Sequence, residues 1–159
     1  MIFSALLSLA AAASDMPYFS FREHNTQGQY NLDSLRKAKC KDTPEGIACS
    51  QTGEVAGHWA TMAFLVVDLR LSQFSISGFR ESIPDVLSAL EAKYGAPCDS
   101  GKETVTNGYG GQFSSTTLTW CFRTGKMVFK ERSSRIDSWS ATYHDDLIRP
   151  KVRQVRPDF

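Results

Sequence analysis

The stretch LEAKYGAPC, Leu90 to Cys98, is the strongest structural signal in this chain. Val86, Leu87, Leu90 and Tyr94 recur at helical spacing. Gly95 supplies a left-handed stop and Pro97 forbids continuation, so a helix ends here and a cysteine follows. At the front of that helix, Ser82-Ile83-Pro84-Asp85 puts a serine at the cap, a proline in the first turn and an acid at the third position, close to a capping box. A weaker copy of the pattern is LRKAKC, Leu35 to Cys40. There Asn31 can cap a short helix from Leu32 to about Lys39, with Leu32 and Leu35 one turn apart.

Each of these cysteines has a second one downstream, Cys49 and Cys121. The metal reading needs closely spaced pairs such as C-x2-C, and the sequence has none. An even cysteine count in an exported chain reads as disulfides. Of the three possible pairings, Cys40–Cys49 and Cys98–Cys121 are favoured, each tying a helix end to a following strand.

Export is expected from the N-terminus. MIFSALLSLAAAASD carries no charge before Asp15 and is apolar from Ile2 to Ala13. That is shorter than the roughly 20 residues a membrane-spanning helix needs. It suits a secretory apolar region ahead of a small-residue cleavage site near Ala11-Ala12-Ala13, although no basic residue precedes it. Residues 1–13 are read as a signal peptide, and the mature chain as periplasmic or secreted with no transmembrane segment. With 159 residues, 42% hydrophobic and 22% charged, the chain is about one globular domain. A net charge of +1 exerts no global pull on nucleic acid or anionic membrane.

Between these landmarks the chain reads as short strands. Tyr18–Glu23 alternates enough for an edge strand. Gly46–Val55, with a Thr-Gly turn inside or after it, then His58–Val67, a strongly apolar run, and Leu71–Ser77 follow, the last two joined by a turn at Asp68-Leu69-Arg70. After the main helix come Thr104–Thr106, Gln112–Arg123, Met127–Arg132 and Arg135–His144, broken by Gly-Tyr-Gly-Gly and Thr-Gly-Lys turns. The expected fold is α+β. Two tandem repeats, 14–80 and 81–146, each a helix followed by an antiparallel meander, would share one curved sheet. Both helices would lie on one face, with one disulfide per repeat and a basic tail at 147–159.

Alternation assigns faces. Phe74 and Ile76, then Leu118, Trp120 and Phe122, then Trp139, Ala141 and Tyr143 point toward the helices. Ser75, Ser77, Thr117 and Thr119 point the other way, a small polar face that an open antiparallel sheet tolerates. His58 and Trp59 after one turn, with Tyr109 and Phe113 around the glycine-rich tip, are candidate aromatic anchors, because such side chains dominate the energy of protein interfaces.

Catalytic signatures are absent: no H-E-x-x-H, G-x-S-x-G or P-loop occurs. Gly108–Gly111 lacks the strand-to-helix setting that phosphate cradling requires. His24, His58 and His144 are far apart, so an enzyme would need a site assembled in space. The tail carries Arg149, Lys151, Arg153 and Arg156 against Asp158; its two prolines discourage a helix, and it has too few aromatics for base stacking.

The double pattern resembles the tandem-repeat β-lactamase inhibitor proteins and the related small outer-membrane assembly lipoproteins. The residues that carry it are Cys40 with Cys49, Cys98 with Cys121, the run Val55-Ala56-Gly57-His58-Trp59-Ala60 and the strand Thr116–Phe122, over roughly Asn31 to Phe129. The resemblance implies two helix-then-four-strand units forming a curved sheet whose concave face grips a partner, without catalysis. In the inhibitors the turn before the first long strand carries an acid beside an aromatic; His58 and Trp59 stand there. The Gly-Met-Thr helix opening and the lipid-attachment cysteine of those families are absent. The expected function is therefore an exported, non-catalytic protein-binding module. It would inhibit or neutralise a partner protein (an enzyme, a toxin or an envelope component) and need no cofactor or metal. The rival expectations are an envelope hydrolase with a spatially assembled His/Asp site and a structural envelope-assembly protein.

Overall fold

A computed structural model describes residues 16–133 and 135–148. The signal-like segment, Ser134 and the basic tail residues Arg149, Lys151, Arg153 and Arg156 lie outside the described residues.

The chain opens with a two-stranded hairpin, β1 (Ser20–Phe21) and β2 (His24–Asn25), followed by a 3-10 turn at Leu32–Leu35. Four strands follow: β3 (Lys39–Thr43), β4 (Gly46–Val55), β5 (His58–Val67) and β6 (Arg70–Phe79). A short 3-10 turn leads into the helix α1 (Ile83–Tyr94). The chain ends in β7 (Asp99–Thr106), β8 (Gln112–Cys121), β9 (Gly125–Lys130) and β10 (Ser138–Asp145). Strands β3 to β10 form one antiparallel sheet in the order β3-β4-β5-β6-β10-β9-β8-β7. Every neighbour pair is a hairpin except the seam in the middle, where β6 lies against β10 through seven residue pairs, from Gln73–His144 to Phe79–Ser138.

One face of this sheet is covered. Met62, Phe64, Phe74, Ile76, Trp120, Met127, Phe129, Trp139, Ala141 and Tyr143 form the buried side. Val86 and Leu90 of α1 pack on it, together with Phe19, Phe21, Tyr30 and Leu35 from the N-terminal segment. Phe19 is fully buried, stacked on Tyr143 with centroids 4.2 Å apart and edge-on to Phe122 at 5.3 Å. Burying such a ring contributes roughly 1.5–3 kcal/mol, so the N-terminal segment is held firmly although it adds no strand to the sheet.

The expected pair of helix-plus-meander repeats is overturned. The chain is mostly β, and α1 is the single α-helix among the described residues. Asn31 does act as a cap, its side chain accepting from the Asp33 amide at 3.0 Å, but it opens only the 3-10 turn Leu32–Leu35. A helix of eight residues held by two leucines is too short to repay its nucleation cost. Cys40 is instead extended in β3, directly opposite Cys49, with Cα atoms 4.0 Å apart. The disulfide Cys40–Cys49 thus joins two strands rather than a helix end to a strand. The disulfide Cys98–Cys121 does follow a helix: Gly95 closes α1 at φ 79°, and the Cys98 amide donates to Thr119 O at 2.7 Å.

Two smaller expectations also change. Tyr18–Glu23 is no edge strand of the sheet; its central residues form β1, which pairs only with β2. Ser82 precedes α1 but does not cap it with its side chain. Its hydroxyl donates to Phe79 O at 2.7 Å and accepts from the Trp139 indole at 2.8 Å. Asp85, the expected partner in a capping box, turns outward to His58.

Among the described residues no helix is long and apolar enough to cross a membrane. The two disulfides are bonds of an oxidising compartment.

Candidate partner-binding face

The second sheet face carries no covering layer among the described residues, and its side chains run in rows across the strands. Thr52, Thr61, Ser77, Ser140, Lys130 and Thr117 make one row through successive partner positions. The next row contains Ala63, Ser75, Thr142, Val128 and Thr119. The four residues expected to line a floor, Ser75, Ser77, Thr117 and Thr119, therefore do share one face, all half-buried. They are not adjacent: β10 and β9 separate the serines from the threonines and bring in Lys130, which reaches Glu103 at 3.4 Å. The surface is short, polar and nearly flat in side-chain length, which lets another backbone come close.

The aromatic candidates divide. Trp59 stands on this face and is 75% exposed. Phe79, which sequence reading passed over, stands beside it at the end of β6 and is 57% exposed. Together with Thr52, Thr61, Ser77 and Arg135 they line an open cleft of about 590 Å³. The overlooked signal was the continuation of alternation past Ser77: Ser75, Ser77 and Phe79 share a side.

His58 is adjacent to Trp59 in sequence and so faces the opposite way. Its Nε2 lies 2.8 Å from Asp85 Oδ2 and ties the β4–β5 turn to α1. This pair is largely exposed and contributes at most about 1 kcal/mol. Tyr109 is fully exposed at the tip of the β7–β8 hairpin. Asn107 shapes that tip, its side-chain oxygen accepting from the amides of Tyr109 and Gly111 at 3.1 and 2.7 Å. Phe113 is half-buried, with the Arg132 guanidinium 5.1 Å over its ring. Arg132 is itself buried and fixed, donating to Ser114 O and Ile136 O at 3.0 Å each. Phe113 is therefore shielded in the free protein. The antiparallel register puts the β4–β5 and β7–β8 tips at the same end of the sheet, so Trp59, Phe79 and Tyr109 share one rim.

Near this rim the Glu131 carboxyl carries a clear electrostatic bias. The Thr116 amide donates to it at 3.1 Å, and Arg80 and Arg132 lie close, which holds its carboxyl below the ordinary range.

The three histidines occupy three different environments. His24 is buried between Phe64, Phe74 and Tyr30, and its Nδ1 sits 2.5 Å from the Tyr30 hydroxyl. Glu23 approaches its other nitrogen at 3.8 Å, and Ser34 is 3.5 Å from Nδ1. His58 bridges to α1, and His144 is exposed on the open face. Among the described residues no cluster of three or more His, Cys, Asp or Glu could hold a metal ion.

Burial lowers the His24 pKa from its ordinary value of 6.5, outweighing the Glu23 charge. The unfolded chain therefore takes up a proton first as the pH falls. Stability should be level above pH 6.5 and decline below it. Melting temperature followed from pH 7.5 to 5 should fall more for the wild type than for His24→Gln; parallel curves would show that His24 is not the group responsible.

No protein-family model matches this sequence, and no match is found among curated proteins or solved structures.

Proposed function

We propose that this protein is an exported, non-catalytic binding module that covers a partner protein with its open sheet face and so blocks it. The observation that carries the proposal is the pairing of Trp59 and Phe79, two large rings side by side and exposed at the rim of an otherwise small polar surface. Full burial of such a ring covers about 150–250 Å², and 75% of Trp59 and 57% of Phe79 is still exposed to be covered. At roughly 25 cal/mol per Å², two of them yield several kcal/mol before the cost of association is met. The Ser and Thr rows add hydrogen-bonding groups without bulk, and the likeness to the inhibitor proteins in cysteine placement points the same way. Periplasm or external medium is the proposed location, in line with the disulfides.

The test is capture of partners from envelope extract or culture fluid on immobilised protein, compared among four forms of equal melting temperature. Wild type and His58→Ala should retain the same partner. Trp59→Ala/Phe79→Ala should lose it, and Tyr109→Ala should weaken it. Equal retention by the double variant would overturn the assignment of this face.

A further inference from the structure

The edge strand β3 is shorter than the strand it protects. It begins at Lys39, opposite Ser50, while β4 continues for five more residues, Gln51–Val55. On its other side that extension is paired with β5 up to Val55–His58. On its outer side no strand lies among the described residues.

Backbone polarity along this edge follows from the ladder. Cα atoms 4.0 Å apart mark Cys40 and Cys49 as a pair without mutual backbone hydrogen bonds. The amides and carbonyls of Ala48 and Ser50 therefore point to β3. By alternation those of Thr52 and Glu54 point the same way, past the end of β3, where the Arg22 guanidinium donates to Glu54 O. The Thr52 amide and carbonyl face a groove of about 720 Å³ between this edge and the N-terminal layer, and the Glu54 amide lies on the same edge just past the groove's lining. Its walls carry Arg22, Arg36, Lys37 and Lys39 against Glu23 and Asp33. Arg36 is taken by Asp33 at 3.2 Å, and Lys37 and Lys39 enter no ion pair among the described residues.

We infer that this groove binds an extended acidic segment of a partner protein as an added strand beside Gln51–Val55. Main-chain bonds to Thr52 and to the Glu54 amide supply the affinity, and Lys37 and Lys39 select carboxylate side chains. This groove borders the Trp59–Phe79 cleft and shares Thr52 and Thr61 with it, but it uses the outer backbone edge of β4 rather than the rings of the open face, and it does not depend on the function proposed for that cleft.

A short fluorescein-labelled peptide alternating glutamate with valine, and its glutamine counterpart, test the inference by fluorescence anisotropy. The glutamate peptide should saturate the wild type and bind at least about tenfold more tightly than the glutamine one. Lys37→Glu/Lys39→Glu should weaken it by about tenfold or more. Thr52→Pro removes an outward amide that β5 does not use, so the sheet should tolerate it while peptide binding is lost. Trp59→Ala should leave binding unchanged. Binding indifferent to both the lysine and Thr52 variants, or no saturation by either peptide, would overturn the inference. A dimer of this chain in sedimentation that Thr52→Pro abolishes would overturn it too, assigning the edge to a second copy.

Discussion

Replacing Trp139 with alanine is expected to cost about 4 kcal/mol, a large part of what a domain of this size has to lose. Trp139 is 1% exposed near the start of β10, on the covered face. Its ring stacks on Phe129 with centroids 5.8 Å apart and lies so close over Gly78 of β6 that a Cβ there would sit 3.0 Å from it. Its indole nitrogen donates to Ser82, which in turn fastens Phe79 O at the entrance to α1. One side chain thus packs across the β6–β10 seam and sets the start of the helix. Truncation leaves a cavity that rigid strands cannot close, and the buried Ser82 hydroxyl keeps its bond to Phe79 O but loses the donor to its own oxygen. Trp139→Phe keeps much of the volume and should cost distinctly less. Urea titration of the three forms checks the ranking; a loss below about 1 kcal/mol for alanine would show that the seam closes without the indole.

The second large effect is expected at Cys98–Cys121. This bond spans 23 residues, against 9 for Cys40–Cys49. Chain-entropy arguments give about 3.4 kcal/mol for the longer loop and about 2.6 for the shorter. Cys98→Ser/Cys121→Ser should therefore lower the urea midpoint more than Cys40→Ser/Cys49→Ser. Cys49 is buried, so its replacement by serine adds a polar burial cost that narrows the gap. The comparison is cleanest with alanine at Cys49. Equal losses in that comparison would mean that native packing, rather than the constraint on the unfolded chain, sets the contribution of the longer bond.

How much of this was legible in the chain depends on distance. The bounds of β4 and β5 match the sequence reading, because Gly57 and the Asp68-Leu69 turn limit them locally, but the Thr-Gly turn expected in or after β4 is absent: Thr52 and Gly53 are paired with β5 inside the strand. The helix α1 was equally plain, since Val86, Leu90 and Gly95 act within a few turns of one another. What failed depended on residues far away. Leu32 and Leu35 read as helix, yet Cys40 had to be extended to face Cys49. Ser82 read as a cap, yet Trp139, from the far end of the chain, takes its hydroxyl. Tyr18–Glu23 reads as a strand because aromatic residues alternate there, but Phe19 and Phe21 pack into the core and the segment pairs only with β2, not with the main sheet. The polar floor was visible from period-two alternation. The separation of His58 from Trp59 followed from the same rule, but their adjacency in sequence suggested a joint role. The unpaired edge of β4 could not be seen at all without knowing where β3 starts.

The seam between β6 and β10 also sets the timing of assembly. All other ladders in the main sheet join strands that are neighbours in sequence, so each four-stranded meander can form through local hairpin closures on the microsecond scale. The seam alone must bring together residues from opposite halves, with α1, β7, β8 and β9 lying between them. Its closure entropy has to be met before Trp139 reaches Gly78, which makes seam formation the slow step of folding. Until then both meanders hold an open edge and an uncovered apolar face. The interval before closure, rather than the stability of the finished sheet, is when this chain is most exposed to aggregation.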